Sequence, residues 1–140
     1  MQKLFDYTII GDPIAKGRPR FAKTGHAYTP KKTRDAENKI KFMLQCAASI
    51  HSKLPAKGVI EICITFYLHR PQRLKKRTSP PDAIPHDKRP DIDNLIKLFV
   101  DASNGILFFD DSQIFRIVAC KYYHAIDNEP RTKIEVWGDG

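Results

Sequence analysis

The sequence predicts an α+β fold: a single domain with a small mixed or antiparallel sheet packed by two helices, in the order β, loop, α, β, long loop, α, β, β. Three observations predict it. Apolar residues alternate with period two just after residue 58, and they recur at helical spacing in two other segments. No internal repeat, low-complexity tract or interdomain linker divides the 140 residues, so 1–140 reads as one domain with a core that needs no staples. With 41% hydrophobic and 29% charged residues, the chain is close to the globular average.

Phe5–Ile10 is a β-branched and aromatic run ended by Gly11-Asp12-Pro13, a strand followed by a turn. Residues 14–32 mix Gly17, Pro19, Gly25 and Pro30 with basic side chains and read as a loop or distorted hairpin. From Thr33 to about Ile50, Ala36, Ile40, Met43, Leu44, Ala47 and Ala48 trace a helical stripe, and Thr33 with Glu37 suits its start. Gly58 opens a strand with Ile60, Ile62, Ile64, Phe66 and Leu68 on one face. Five prolines keep residues 70–90 out of regular structure, and so long a loop in so small a domain is generally functional or disordered. Asp91 or Asp93 caps a second helix reaching Ser103, with Leu95, Leu98, Phe99 and Ala102 on its stripe and Asn104-Gly105 as its stop. Ile106–Phe109 reads as a short extended stretch. Ile114–Tyr123 and Thr132–Trp137 are the last two strands.

A formal net charge of +8 and a pI near 9.5 point to a polyanionic partner, nucleic acid before an anionic membrane surface. No apolar run is long enough to span a bilayer, and the N-terminal residues lack the layout of a signal peptide. Cys46, Cys63 and Cys120 are odd in number and widely spaced, which suits reduced, buried thiols in a cytoplasmic protein. The charge is not evenly spread. Residues 1–35 hold eight bases and three acids, and residues 70–90 hold seven and two. Residues 91–111 then hold five aspartates and a single base, Lys97.

That acidic island carries the chemistry. Asp91 follows a proline and should be extended, which puts Asp91 and Asp93 on one side; Lys97 lies one helical turn beyond Asp93. About ten helical residues carry the chain ~15 Å away. Five extended residues after Gly105 return roughly the same distance, which brings Asp110 or Asp111 back beside the first pair, though parity lets only one of them join. Two like charges ~4 Å apart repel by about 4 kcal/mol at an effective dielectric of 20. Either a carboxyl is protonated or a divalent metal is bound, and an oxygen-only set favours Mg²⁺ or Mn²⁺ over Zn²⁺. Hard cations beside basic loops suit phosphodiester hydrolysis, with Lys97 neutralising transition-state charge or orienting water. Each piece also has an ordinary reading. Asp-x-Asp before a helix is commonly a cap, Asp110-Asp111-Ser112 a turn, and Lys97 a surface partner of Asp93 or Asp101.

Taken together, Asp91-x-Asp93-Asn94-x-x-Lys97, Asp101-Ala102-x-Asn104-Gly105 and Asp110-Asp111-x-Gln113-Ile114 resemble the RusA family of Holliday junction resolvases. Lys16-Gly17-Arg18-Pro19-Arg20 and Tyr28-Thr29-Pro30 resemble its phage and prophage members. Ser103 departs from the leucine common there, which touches packing and not chemistry. The resemblance implies a homodimeric endonuclease, dependent on Mg²⁺ with Mn²⁺ as a substitute, that nicks two symmetric strands of a branched, four-way DNA junction. It implies Asp91, Asp93 and Asp111 as metal-binding and catalytic carboxylates and Lys97 as the catalytic lysine.

Around this site the expected phosphate contacts are Lys16, Arg18, Arg20, Lys23, Lys31 and Lys32 in the first basic loop, and Arg73, Lys75, Lys76 and Arg77 in the second. Phe21 and Tyr28 are placed to stack on bases or wedge a junction, with core packing expected for at least one. Two other readings remain open from sequence: a non-catalytic basic nucleic-acid-binding module whose acids cap helices, and a metal-dependent nuclease acting on flaps or RNA.

Overall fold

The segments that alternate or repeat in the sequence form the long strands and both α-helices. The computed structural model describes residues 1–17, 20–28 and 30–139, and of Arg20 only the backbone. In chain order the elements are β1 (Gln2–Ile10), β2 (Arg20–Phe21), β3 (Ala27–Tyr28), α1 (Lys31–Ala48), β4 (Ile60–Leu68), β5 (Ile84–Pro85), α2 (Ile92–Ser103), β6 (Ile114–Tyr123) and β7 (Arg131–Gly138). Two single-turn 3₁₀ helices, Gln72–Leu74 and Asp111–Gln113, complete the set. The main sheet runs β1-β7-β4-β6-β5, and β2 with β3 forms a separate ribbon in the first basic segment. Only β4 and β6 pair in parallel; the other neighbours are antiparallel, so the sheet is mixed.

β4 is central, and the alternation seen in the sequence is its burial pattern. Ile60, Ile62, Ile64, Phe66 and Leu68 are buried, while Glu61, Cys63, Thr65 and Tyr67 on the other face are half-exposed. The inner face meets Leu44 and Ala48 of α1 and Leu95 and Phe99 of α2 in one core, so both helices cover the same side of the sheet. α2 is the crossover that the parallel β4–β6 pair requires. Its sequence stripe holds: Leu95, Leu98, Phe99 and Ala102 are all buried, leaving Asp93 and Lys97 outside.

Several expectations are corrected. α1 begins at Lys31, so Lys31 and Lys32 are first-turn helical residues and not loop residues. Thr33 does not cap it. It is buried within the helix, and its Oγ1 accepts a hydrogen bond of 2.9 Å from the Gly17 amide. A Cβ at Gly17 would lie 2.8 Å from that oxygen, so glycine is what allows the approach. Phe21 and Tyr28 are both exposed, so neither packs in the core. Cys46 is exposed as well, and Cys63 and Cys120 are half-buried, so none is a fully buried thiol; all three are free. Residues 104–108 form a turn and not an extended stretch: Ile106 and Leu107 amides donate back to Ser103 O, and Gly105 takes φ +81°.

Residues 70–90 do contain regular structure, and a buried cation explains how a proline-rich loop holds its shape. Arg70 is fully buried. Its guanidinium donates to the carbonyls of Leu74 (2.8 Å), Asp82 (2.9 Å), His124 (3.4 Å) and Pro80. Arg70 is thus an internal strut, while Arg73, Lys76 and Arg77 on the arch it supports are exposed and Lys75 is half-exposed. Replacing Arg70 with methionine keeps the stem but strands those carbonyls, and unpaired buried acceptors are costly. Arg70→Met is expected to lower unfolding stability by about 3 kcal/mol and to make residues 71–85 the first site of limited proteolysis. Urea denaturation with mass spectrometry of the early fragments measures both.

Candidate active site

The N-terminus of α2 is where the two basic segments meet the acidic island. The Lys16 amide donates to Asn94 O at 2.9 Å, tying the first basic segment to the first turn of α2. The second basic segment ends at Arg89, which lines a hollow with Pro90, Asp91 and Asn94. Asp91 is the residue before the helix, extended at φ −70°, ψ 143°, and its side chain makes no capping hydrogen bond. Asp93 sits in the first turn, where the helix dipole favours a negative side chain. Both are exposed. Because Ile92 is already helical, the period-two rule does not apply. Asp91 therefore opens into the hollow beside Arg89, while Asp93 faces a neighbouring cleft.

That cleft, about 430 Å³, runs between α2 and the start of β6. From α2 it is lined by Asp93, Ile96, Lys97, Val100 and Asp101, and from the facing side by Asp111 and Ile114 through Ile117. Lys97 has no carboxylate within ion-pair range among the described residues, so the surface-pairing reading does not hold. Asp101 instead accepts from Lys16 Nζ at 2.7 Å, and Glu37 of α1 accepts from the same ammonium at 3.1 Å. The hydrogen bond to Asp101 is the main cause of a raised Lys16 pKa. Lys16, expected as a phosphate contact, is thus engaged in bracing the first basic segment against both helices.

Asp111 reaches the cleft with Asp93 and Lys97 but does not join Asp91 and Asp93. Among the described residues no three acidic, histidine or cysteine side chains converge closely enough to hold a metal. Asp111 shares its cleft with Asp93 and Lys97, while Asp91 opens into the adjoining hollow. The donor chemistry still fits a hard cation, which is commonly held by one or two carboxylates and keeps much of its water. Asp91 and Asp93 are exposed, all-oxygen and unpaired among the described residues.

Asp110 and Asp111 take different places because Asp111 opens a 3₁₀ turn, so extended-chain parity does not apply to them. Asp110 is the cap of the 3₁₀ turn, accepting from the Ser112 amide at 3.1 Å. Hydrogen bonding from the Ser112 side chain, and next from its backbone amide, lowers the Asp110 pKa. Gln113 holds this turn in place with all of its polar capacity. Its Oε1 accepts from the Phe109 and Asp110 amides, and its Nε2 donates to Ala56 O and Gly58 O.

Of the other basic candidates, Lys23, Lys31, Lys32, Arg73, Lys76 and Arg77 are exposed and Lys75 half-exposed, while Arg73 also bonds Tyr123 Oη at 3.4 Å. Arg18 and the Arg20 side chain lie outside the described residues. Two residues at the site escaped sequence reasoning. Arg116 lines the cleft, held loosely by Glu61 at 3.8 Å, and Lys121 grips the backbone just ahead of Asp91. Both are bases on a strand read for its apolar content, and charge on a half-exposed strand was the available signal.

Two comparisons relate the chain to known proteins. An uncharacterized protein of Bacillus subtilis (strain 168), YqaN, is 27% identical over 139 residues, covering 93% of each chain. The family described as Endodeoxyribonuclease RusA matches residues 11–137. That span takes in both helices, both basic segments and the whole stretch bearing Asp91, Asp93, Lys97 and Asp111; the chain belongs to the RusA endodeoxyribonuclease family.

Proposed function

We propose that this protein is a divalent-metal-dependent endonuclease that resolves four-way DNA junctions, in recombination and repair, by paired symmetric cuts. The observation that carries the proposal is the α2 N-terminus, where Asp91, Asp93 and Lys97, none of them in an ion pair among the described residues, stand at the meeting point of two basic segments. Asp91 and Asp93 would hold a Mg²⁺ or Mn²⁺ ion, which supplies a Lewis acid for the phosphoryl group and an activated water. Lys97 projects one turn beyond Asp93 and offers its ammonium to the phosphoryl oxygens as negative charge builds on them. Asp111 faces it across the cleft, where it orients Lys97 or accepts a proton from the attacking water. Lys23, Lys31, Lys32, Arg73, Lys75, Lys76 and Arg77 hold backbone phosphates, which fixes position without reading sequence. Phe21 and Tyr28, both exposed beside these bases, are free to stack on opened base pairs.

Resolution needs two sites, and a homodimer matches the two-fold symmetry of a junction. β6 suits the contact. Its outer edge pairs with β5 only at Tyr122 and Tyr123, and Phe115, Ile117 and Val118 along the rest of it are exposed. Among the described residues no helix is long and apolar enough to cross a membrane.

The test is a synthetic mobile junction and a matched linear duplex, each with Mg²⁺, Mn²⁺ or chelator. Metal is expected to give paired nicks in the junction and little cutting of the duplex. Chelator should abolish nicking while leaving the junction bound in a gel-shift assay. Equal cutting of both substrates removes the junction specificity, and binding without nicking under any metal supports the non-catalytic reading.

A further inference from the structure

Between the basic loop and α2, residues 84–90 are laid along the end of β6. Ile84 pairs with Tyr123 and Pro85 with Tyr122, and the His86 amide donates to Lys121 O at 3.0 Å. The His86 ring tilts against Tyr123 with centroids 4.4 Å apart. There the backbone pairing to β6 ends. The next hold from β6 on this segment is a side chain: Lys121 Nζ donates to Lys88 O at 2.6 Å and to Pro90 O at 2.9 Å. The second carbonyl belongs to the peptide bond whose nitrogen is Asp91's own. No carboxylate lies within ion-pair range of Lys121 among the described residues, so its charge is directed wholly at these carbonyls. Charge-assisted hydrogen bonds are about twice as strong as neutral ones, and two of them fix the segment more firmly than either alone.

We propose that Lys121 is a positioning residue for Asp91: its ammonium clamps the chain at Lys88 and Pro90 and so sets where the Asp91 carboxylate stands. This rests on the nuclease reading above. Lys121 touches neither substrate nor metal in this role. It acts as the outer partners of a metal ligand do, whose loss commonly costs 10- to 100-fold in metal affinity or activity. Lys121→Met keeps the half-buried stem and removes only the donating tip.

The experiment compares wild type, Lys121→Met and Lys121→Arg. Lys121→Met is expected to cut a four-way junction about 10- to 100-fold more slowly and to need about tenfold more Mg²⁺ for half-maximal rate. Junction binding in Ca²⁺ should stay within about threefold, since a lost phosphate contact would instead weaken binding. Lys121→Arg restores a donor for the same carbonyls and should recover most of the rate. Hydrogen–deuterium exchange supplies a readout independent of cutting: amides of residues 88–95 should exchange faster in Lys121→Met, while those of β4 and β7 stay protected. Unchanged exchange at 88–95, or loss of junction binding in step with loss of cutting, overturns the proposal. If the wild type cuts no DNA with any metal, the nuclease reading fails, and the exchange result still decides whether Lys121 holds the segment.

Discussion

Asp93→Asn is expected to lower junction cleavage by about 10²–10³-fold while leaving junction binding equal or tighter. Asparagine keeps the shape and one oxygen but removes the negative charge that favours a hard cation. Asp93 makes no ion pair among the described residues and is exposed, so its replacement breaks no contact on which the fold depends. The lost helix-dipole interaction costs about 0.3–1 kcal/mol, which leaves the protein folded. Binding should improve because one fewer anion faces the phosphates. The measurements are a single-turnover rate at saturating enzyme, a gel-shift titration in Ca²⁺ and a thermal melt. Wild-type cutting by Asp93→Asn would remove Asp93 from the chemistry. A loss of cutting matched by a fall in melting temperature would assign it to helix stability.

Which parts of the fold and of the cleft are legible in the sequence is a question of range. The stripe of α2 and the alternation of β4 are local, set by periods of 3.6 and 2, and both are found where the spacing put them. Arg70 illustrates the opposite case. By composition it belongs to a basic loop, yet it is buried because acceptors as far away as His124 come to it, 54 residues on. No local pattern marks such a residue. The path from Gly105 to Asp111 differs from the expected extended one for a related reason. Residues 106–109 are apolar enough to read as a strand, but Gly105 and the Ser103 carbonyl curl them into a turn whose apolar side chains, Leu107 and Phe108, are buried. Their burial comes from packing in the core, with only isolated bridges from Phe108 to Ala56 and Asn104 among the described residues. The same holds for Lys16. It belongs by sequence to a basic segment, but its partners Glu37 and Asp101 come from two different helices.

Lys97→Met separates transition-state chemistry from ordinary phosphate binding. Lys97 is exposed on the cleft, and among the described residues Asp101, one turn further along α2, is paired with Lys16 and leaves Lys97 free. An unpaired ammonium next to carboxylates is poorly explained by stability, since exposed charges contribute little to it. If it meets the phosphoryl oxygens as their charge develops, Lys97→Met should lower kcat by about 10²–10³-fold with KM nearly unchanged, some 3–4 kcal/mol of transition-state stabilisation. If it only anchors a ground-state phosphate, KM should rise with kcat preserved, and the slope of log affinity against log salt should fall by about one. Lys97→Arg refines the outcome. It keeps the charge but replaces a compact point donor with a planar fork, so substantial recovery would mean that charge suffices, and weak recovery that the position of a single ammonium matters. Stability should move by less than about 0.5 kcal/mol in both variants, which leaves a change in rate attributable to the chemistry of the cleft.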